Sequence, residues 1–168
     1  MAARRPASTP SGAEPALLRV ARLGADGDGI GTLPDGTPMY VAGALPGELV
    51  RVRAVARRGE GWGAALDAII EPSAERIVPP CPHFGVCGGC VAQHMGDAAY
   101  ANWKTARVDA ALRRAGCADI PMAALARTKP GGRRRMDLAL RRSGAAVVVG
   151  LHRMRSRELV DIVACDVL

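Results

Sequence analysis

Three cysteines fall within ten positions of "CPHFGVCGGCVAQH", residues 81–94, spaced C-x5-C-G-G-C. Thiolates are soft ligands suited to zinc and iron–sulfur centres. Gly88-Gly89 lets the backbone wrap and turn amides toward the sulfurs, which offsets the negative charge of metal-bound thiolates. Three thiolates leave one position open. Cys165 is the natural fourth ligand, because it is expected to end a strand, where a side chain is rigidly aimed. Cys117 follows an expected helix stop and reads as filler. Local spacing alone does not choose between them. Structural zinc sites usually pair two C-x2-4-C knuckles or combine Cys with His, and His83 and His94 could complete such a site. Three clustered cysteines and one remote cysteine are more typical of iron–sulfur ligation. The remaining reading, buried cysteines with no metal, fits poorly at this density, because clustered thiols oxidise or bind metal.

The 168 residues allow one ordinary domain or two small ones. Hydrophobic content is 49% but aromatic content only 3%, so alanine and valine must fill the cores and a metal staple would help. The formal net charge is +7 and the isoelectric point about 9.8. Lys104 and Lys129 are the only lysines; the rest of the positive charge is arginine, whose planar fork suits phosphate. That balance points to nucleic acid first, then to an acidic partner or a membrane surface. No apolar run is long enough to span a bilayer. "MAARRPASTPSGAEPA" lacks the apolar segment of a secretory signal. The chain is therefore expected in a reducing cytoplasm, where five cysteines argue for metal or catalysis rather than disulfides.

Residues 1–15 read as a disordered tail. From Ala16 the pattern is strand-like. "ALLRVARLG" is a short strand, "ADGDGIG" a glycine-rich turn, and "TLPDGTPMYVAG" two short strands around Asp35-Gly36. "ELVRVRAVARR" alternates apolar and basic residues, with Leu49, Arg51, Arg53 and Arg57 set against Val50, Val52 and Val55. "GWGAALDAII" is a further strand. Five short strands over residues 16–71 predict a small closed barrel. The proline-rich "EPSAERIVPP" opens a second domain, residues 72–168. There, "GDAAYANWKTARVDAALRRAG" is helical, capped by Asp97 and ended by Gly116. "RRRMDLAL" and "AAVVVGLHRM" predict two strands joined at Arg142-Ser143-Gly144, and "ELVDIVAC" a third ending at Cys165.

These residues resemble a known family. "CPHFGVCGGCVAQH" is similar to the iron–sulfur motif of the bacterial uracil-C5 RNA methyltransferases, which make 5-methyluridine in ribosomal or transfer RNA. "DGDGIGTLPDGTPMYVAGALPGELVRVRA" resembles the TRAM domain, the small RNA-binding barrel that precedes that motif. "VGLHRMRSRELVDIVACDVL" resembles the segment carrying the family's last cluster cysteine. Three positions depart from the pattern: Asp166 stands for a proline, Leu151-His152 for Phe-Arg, and Gly132 for an aromatic. The resemblance implies a fold of mixed β and α/β character: a five-stranded OB-like (TRAM) barrel followed by an α+β iron–sulfur domain. It implies a [4Fe–4S] cluster held by Cys81, Cys87, Cys90 and Cys165. The family's S-adenosylmethionine-binding, Rossmann-like domain, with its catalytic cysteine and base, finds no match here. S-adenosylmethionine is therefore expected only in a full-length family member, and this chain alone is expected to be inactive, with the methyltransferase domain missing in cis. What it retains is the part that binds and presents RNA.

For RNA contact, Arg51, Arg53, Arg57 and Arg58 form an expected phosphate-facing surface. Trp62, between two glycines, is a candidate to stack on a base, with closure of the barrel core as the competing reading. Arg133, Arg134 and Arg135 precede a strand and could grip phosphate or simply be solvated. Lys104, Arg107 and Arg114 read as a solvated helix side. Two other classes of function compete with the methyltransferase reading: a stand-alone, metal-stapled RNA-binding protein, and an iron–sulfur redox sensor with RNA as its readout.

Overall fold

The computed structural model describes residues 14–167. The expected tail, apart from residues 14 and 15, lies outside them. The chain forms two compact units that divide between Arg76 and Ile77.

The first unit is all β. β1 (Ala16–Arg19), β2 (Arg22–Leu23), β3 (Gly29–Thr32), β4 (Pro38–Val41), β5 (Leu49–Arg58) and β6 (Gly61–Glu71) form one sheet in the order β1-β5-β6-β4-β3-β2. Neighbours are antiparallel except β4 and β6. The expected arrangement was a closed ring of five strands; the hydrogen-bonded order is an open row of six. The difference arises at Val20-Ala21, where the expected first strand breaks. Val20 N–H donates to Glu48 O (2.9 Å), on the β5 side, and Ala21 N–H to Ile30 O (2.8 Å), on β3. The chain thus leaves one edge of the sheet and continues along the other, with no ladder between β1 and β2 among the described residues.

Alternation on β5 builds the core. Val50 and Val52 are completely buried, and Arg51 and Arg53 point to solvent. Leu18, Val20, Met39, Val41 and Ala44 meet the two valines. Val55 does not join them. It lies 69% exposed where the β5–β6 register shifts between Ala54 and Ala56, so grouping it with the inward valines fails at an irregularity of the ladder. Gly31 is required by close approach: a Cβ there would lie 2.5 Å from Arg19 O.

Glu48 fastens the end of β6 to this core. Its side chain is fully buried and accepts from Leu45 N–H (2.8 Å), Ser73 N–H (3.2 Å) and both Nε (2.5 Å) and Nη2 (2.9 Å) of Arg76. Burial alone would raise its carboxyl; the Arg76 bond and the two backbone N–H groups outweigh burial and hold it below the ordinary glutamate range.

The second unit combines one helix with a small sheet. α1 spans Asp97–Arg114 and buries Trp103. Asp97 is the first residue of the helix rather than its cap; Gly96 occupies the cap position and has no side chain to bond the free N–H groups. The acid there still favours the helix by its charge. At the other end Gly116 has φ 81°, and Cys117 N–H reaches Leu112 O (2.9 Å) while Gly116 N–H reaches Arg113 O (3.1 Å). This is the Schellman pattern that a glycine stop allows.

β7 (Ala139–Ser143), β8 (Ala146–His152) and β9 (Leu159–Asp161) form an antiparallel sheet with β8 central. Two expectations change here. The strand expected from Arg133 begins at Ala139, because the preceding residues bond elsewhere: Gly131 N–H to Asp166 O (2.9 Å) and Arg133 N–H to Val167 O (3.2 Å). Cys165 lies past the end of β9 rather than on it, since pairing with β8 stops at Asp161 and only Ile162 N–H still reaches Val149 O (3.2 Å).

Candidate metal centre and basic surfaces

Residues 81–94 form a succession of turns held by local backbone bonds, Phe84 N–H to Cys81 O (3.1 Å) and Cys87 N–H to His83 O (2.9 Å). The loop docks on the end of β8: Cys87 pairs with Arg153 in an isolated antiparallel bridge, and Gly88 N–H donates to His152 O (2.9 Å). Arg133, Arg135, Ile162, Ala164 and Val167 line a cavity together with residues of this loop.

Cys81, Cys87, Cys90 and Cys165 all line one cavity of about 440 Å³. Cys87 is buried and the other three are half-buried. Arg133 and Arg135 share the wall. Gly89 N–H points at Cys87 Sγ (3.3 Å), and a Cβ on Gly89 would lie 2.8 Å from Leu151 Cδ1 and 3.4 Å from that sulfur. Burial pushes the Cys90 thiol up; a bond with the Gln93 side chain opposes this, and Cys165, Cys81 and Cys87 add to the rise. The other three sulfurs thus all act on the Cys90 thiol. Ionising all four together requires a compensating positive charge, which a bound metal centre would supply and the two arginines would supplement.

Cys117 is not part of this group; its thiol lies 3.9 Å from Ala115 O, past the helix. His83 accepts Val163 N–H at Nε2 (3.3 Å), and His94 is buried against the Phe84 ring with centroids 5.4 Å apart. Among the described residues, no three His, Cys, Asp or Glu side chains converge as ligands of one metal ion. The four cysteines share the wall of one cavity.

The expected RNA-facing arginines divide into two kinds. Arg51 and Arg57 are exposed on β5. Arg53 is paired through two bonds of 2.8 Å with Asp67, whose carboxyl is held below the usual range by that contact. Arg58 binds Asp28 and, at 2.9 Å, Asp26, and its guanidinium lies 4.6 Å from the Tyr40 ring centre. Trp62 packs on the core while Arg57 sits 4.9 Å over its ring, so a base reaching Trp62 would share it with a guanidinium. Arg133 and Arg135 line the cysteine cavity, and Arg134 is exposed beside them. On α1, Lys104 lies over Tyr100 (5.5 Å) and Trp103 (4.7 Å), and Arg107 over Trp103 (5.5 Å), so these cations cover aromatic rings rather than only facing solvent.

Known proteins similar to this chain are RNA methyltransferases. An uncharacterized RNA methyltransferase of Brucella suis is 41% identical over 150 residues, which are 89% of this chain and 34% of that protein. One of Caulobacter vibrioides is 38% identical over 152 residues, 89% of this chain and 35% of that protein. The 23S rRNA (uracil(1939)-C(5))-methyltransferase RlmD of Dechloromonas aromatica is 37% identical over 141 residues, 82% of this chain and 33% of that protein. The chain thus spans about a third of the length of the curated relatives it matches. No protein-family model matches it. Among the described residues no helix is long and apolar enough to cross a membrane.

One basic segment is missing from the sequence-based candidates. "HRMRSRE", residues 152–158, puts Arg153, Arg155 and Arg157 on the turn that leaves β8. The alternating arginines were the available signal.

Proposed function

We propose that this chain is the RNA-engaging, cluster-bearing segment of a uracil-C5 RNA methyltransferase acting on ribosomal or transfer RNA. The observation that carries the reading is the assembly of Cys81, Cys87, Cys90 and Cys165 around one cavity, in a chain similar to RNA methyltransferases along most of its length. Four thiols around one space, with Arg133 and Arg135 in its wall to offset thiolate charge, are a donor set compatible with an iron–sulfur cluster. The four cysteines would hold a [4Fe–4S] cluster. When bound, the cluster supplies a covalent tie between the start and the end of the second unit, closing a long loop.

The chain's own residues do the binding. Arg51 and Arg57 offer charge to phosphate, and Trp62 with Arg57 offers a stacking plane for an unpaired base. Arg53 and Arg58 stand beside them, paired with Asp67 and with Asp26 and Asp28. Methyl transfer itself belongs to S-adenosylmethionine and a catalytic domain of the whole enzyme. The protein works in the cytoplasm on this reading.

Anaerobic purification with measurement of iron, acid-labile sulfide and zinc tests the assignment. About four irons and four sulfides per chain are expected, with most of both lost in Cys165→Ala and retained in Cys117→Ala. One zinc without sulfide would refute the cluster and leave a metal-stapled RNA-binding protein as the better account.

A further inference from the structure

We infer that the arginine turn between β8 and β9 is a binding site for the phosphate backbone of single-stranded RNA, seated on the back of the cysteine loop. This inference deepens the RNA-binding reading above and rests on it.

An open groove lies between Gly88-Gly89 and the turn, lined also by Leu151, Arg153, Arg155 and Arg157. The three arginines are exposed, and Arg141 adds a fourth guanidinium by donating from Nη2 to Arg157 O (2.8 Å). The one acidic side chain in the turn is Glu158, in an exposed pair with Arg153 (2.9 Å) that is worth little in water and leaves the local charge positive. The floor is backbone. A Cβ on Gly88 would lie 3.0 Å from His152 O and 3.3 Å from the Met154 backbone, so loop and turn meet without side chains between them.

The turn is built and held. Arg153 N–H bonds Glu158 O (2.8 Å), Ser156 N–H bonds Arg153 O (3.1 Å), and Glu158 N–H bonds Ser156 Oγ (3.0 Å). Gly88 N–H to His152 O and Met154 N–H to Val86 O (3.1 Å) fix it to the cysteine loop. Arg155 has φ 55°, a region that glycine or asparagine enters more readily than arginine. An arginine kept there, between two others at alternating positions, presents guanidinium groups to one groove. The planar forks of arginine match phosphate oxygens in pairs, and a flexible single strand can bring successive phosphates to a short row. Nothing in the groove resembles the deep apolar pocket that a small ligand needs.

Fluorescence anisotropy with the purified full chain and a labelled single-stranded oligoribonucleotide, over a salt series, tests the site. The variant is Arg155→Asn with Arg157→Gln: asparagine suits the φ of residue 155, and glutamine keeps the Arg157 carbonyl that Arg141 Nη2 and the His152 ring engage. Circular dichroism confirms that it folds. Two lost phosphate contacts make the slope of log affinity against log salt shallower by about 1.4, a difference of about sevenfold between 50 and 200 mM salt. Arg155→Lys with Arg157→Lys should restore the slope. Wild-type binding with an unchanged slope in the variant would overturn this site and leave the RNA-binding reading standing. No wild-type binding at any salt would overturn both. Stronger displacement by polyglutamate than by unlabelled RNA, at equal charge, would replace the RNA backbone with an acidic protein partner.

Discussion

Replacing Glu48 by glutamine should strip the first unit of much of its stability. The carboxylate is fully buried and satisfies four donors, two of them backbone N–H groups and two on Arg76. Glutamine keeps one acceptor oxygen and turns an NH2 toward the donors. Whichever oxygen is replaced, one backbone N–H and one Arg76 N–H lose their acceptor and the charge of Arg76 loses its counterion, although Arg76 Nη2 keeps its bond to Gly43 O (2.6 Å). Breaking a buried ion pair costs about 3–5 kcal/mol. Arg76 keeps 21% of its side-chain surface exposed and can recruit water, so the lower part of that range applies, about 3 kcal/mol. A unit of this size has only about 4–11 kcal/mol in total. Urea unfolding of the full chain in a Trp103→Phe background, followed by Trp62 fluorescence, reads the first unit alone. With m near 1 kcal/mol/M, the midpoint should fall by about 2–3 M. The pH dependence gives an independent check. Glu48 has a depressed pKa in the folded state, so its contribution is present above the unfolded glutamate value and is lost as pH falls through the folded one. The gap between wild type and variant should be constant near neutrality and shrink below about pH 4.3. A neutral-pH loss under about 1 kcal/mol, or a gap that stays constant into acid, would refute the claim that this pair holds the end of β6 in place.

Gly150→Ala should cripple the second unit, because the new Cβ would collide with the Val160 carbonyl oxygen in the β8–β9 ladder; thermal unfolding in a Trp62→Phe background, followed by Trp103 fluorescence, would show it. Gly89→Ala should be milder for folding, since its nearest obstacle is the movable end of Leu151, but should lower iron content after anaerobic reconstitution by crowding Cys87 Sγ. Arg53→Gln should scarcely change the urea midpoint, because its Asp67 partner sits in an exposed surface pair. Arg51→Gln with Arg57→Gln should reduce RNA affinity and make the salt slope shallower by about 1.4, as expected for two phosphate contacts to a single strand; an unchanged slope would remove β5 from the RNA-binding surface.

What was legible in the sequence followed local rules, and what was not depended on contacts between distant residues. The Asp35-Gly36 hairpin, the inward Val50 and Val52 on β5 and the glycine stop at Gly116 each rest on a few adjacent residues, and each appears in the fold, whereas Val55, read with the other two valines, is exposed. The break at Val20-Ala21 has no such marker. It arises because two separate strands compete for one segment, which turned an expected ring of five strands into an open row of six. The late start of β7 has the same origin: Gly131 and Arg133 bond residues more than thirty positions away. Arginine was the least readable residue, because its type alone does not tell a free guanidinium from a paired one. Arg51 and Arg53 stand two positions apart on the same face of β5, yet Asp67 engages only Arg53 in the bonds the fold displays. Charge density therefore pointed correctly to basic surfaces without ranking the residues on them. The "HRMRSRE" turn illustrates the reverse error. In sequence it is the ragged end of a strand, and only the docking of Gly88 on His152 turns it into the wall of a groove. The cysteines sit between these extremes. Local spacing grouped Cys81, Cys87 and Cys90 but left Cys117 and Cys165 as alternatives. The fold brings Cys165 to the same cavity through a segment that is no longer a strand, braced by Val163 N–H on His83 and by the carbonyl of Asp166 on Gly131 N–H. Cys165 is not at a rigid strand end; what aims it is one hydrogen bond on either side, Val163 N–H to the His83 ring and Gly131 N–H to Asp166 O.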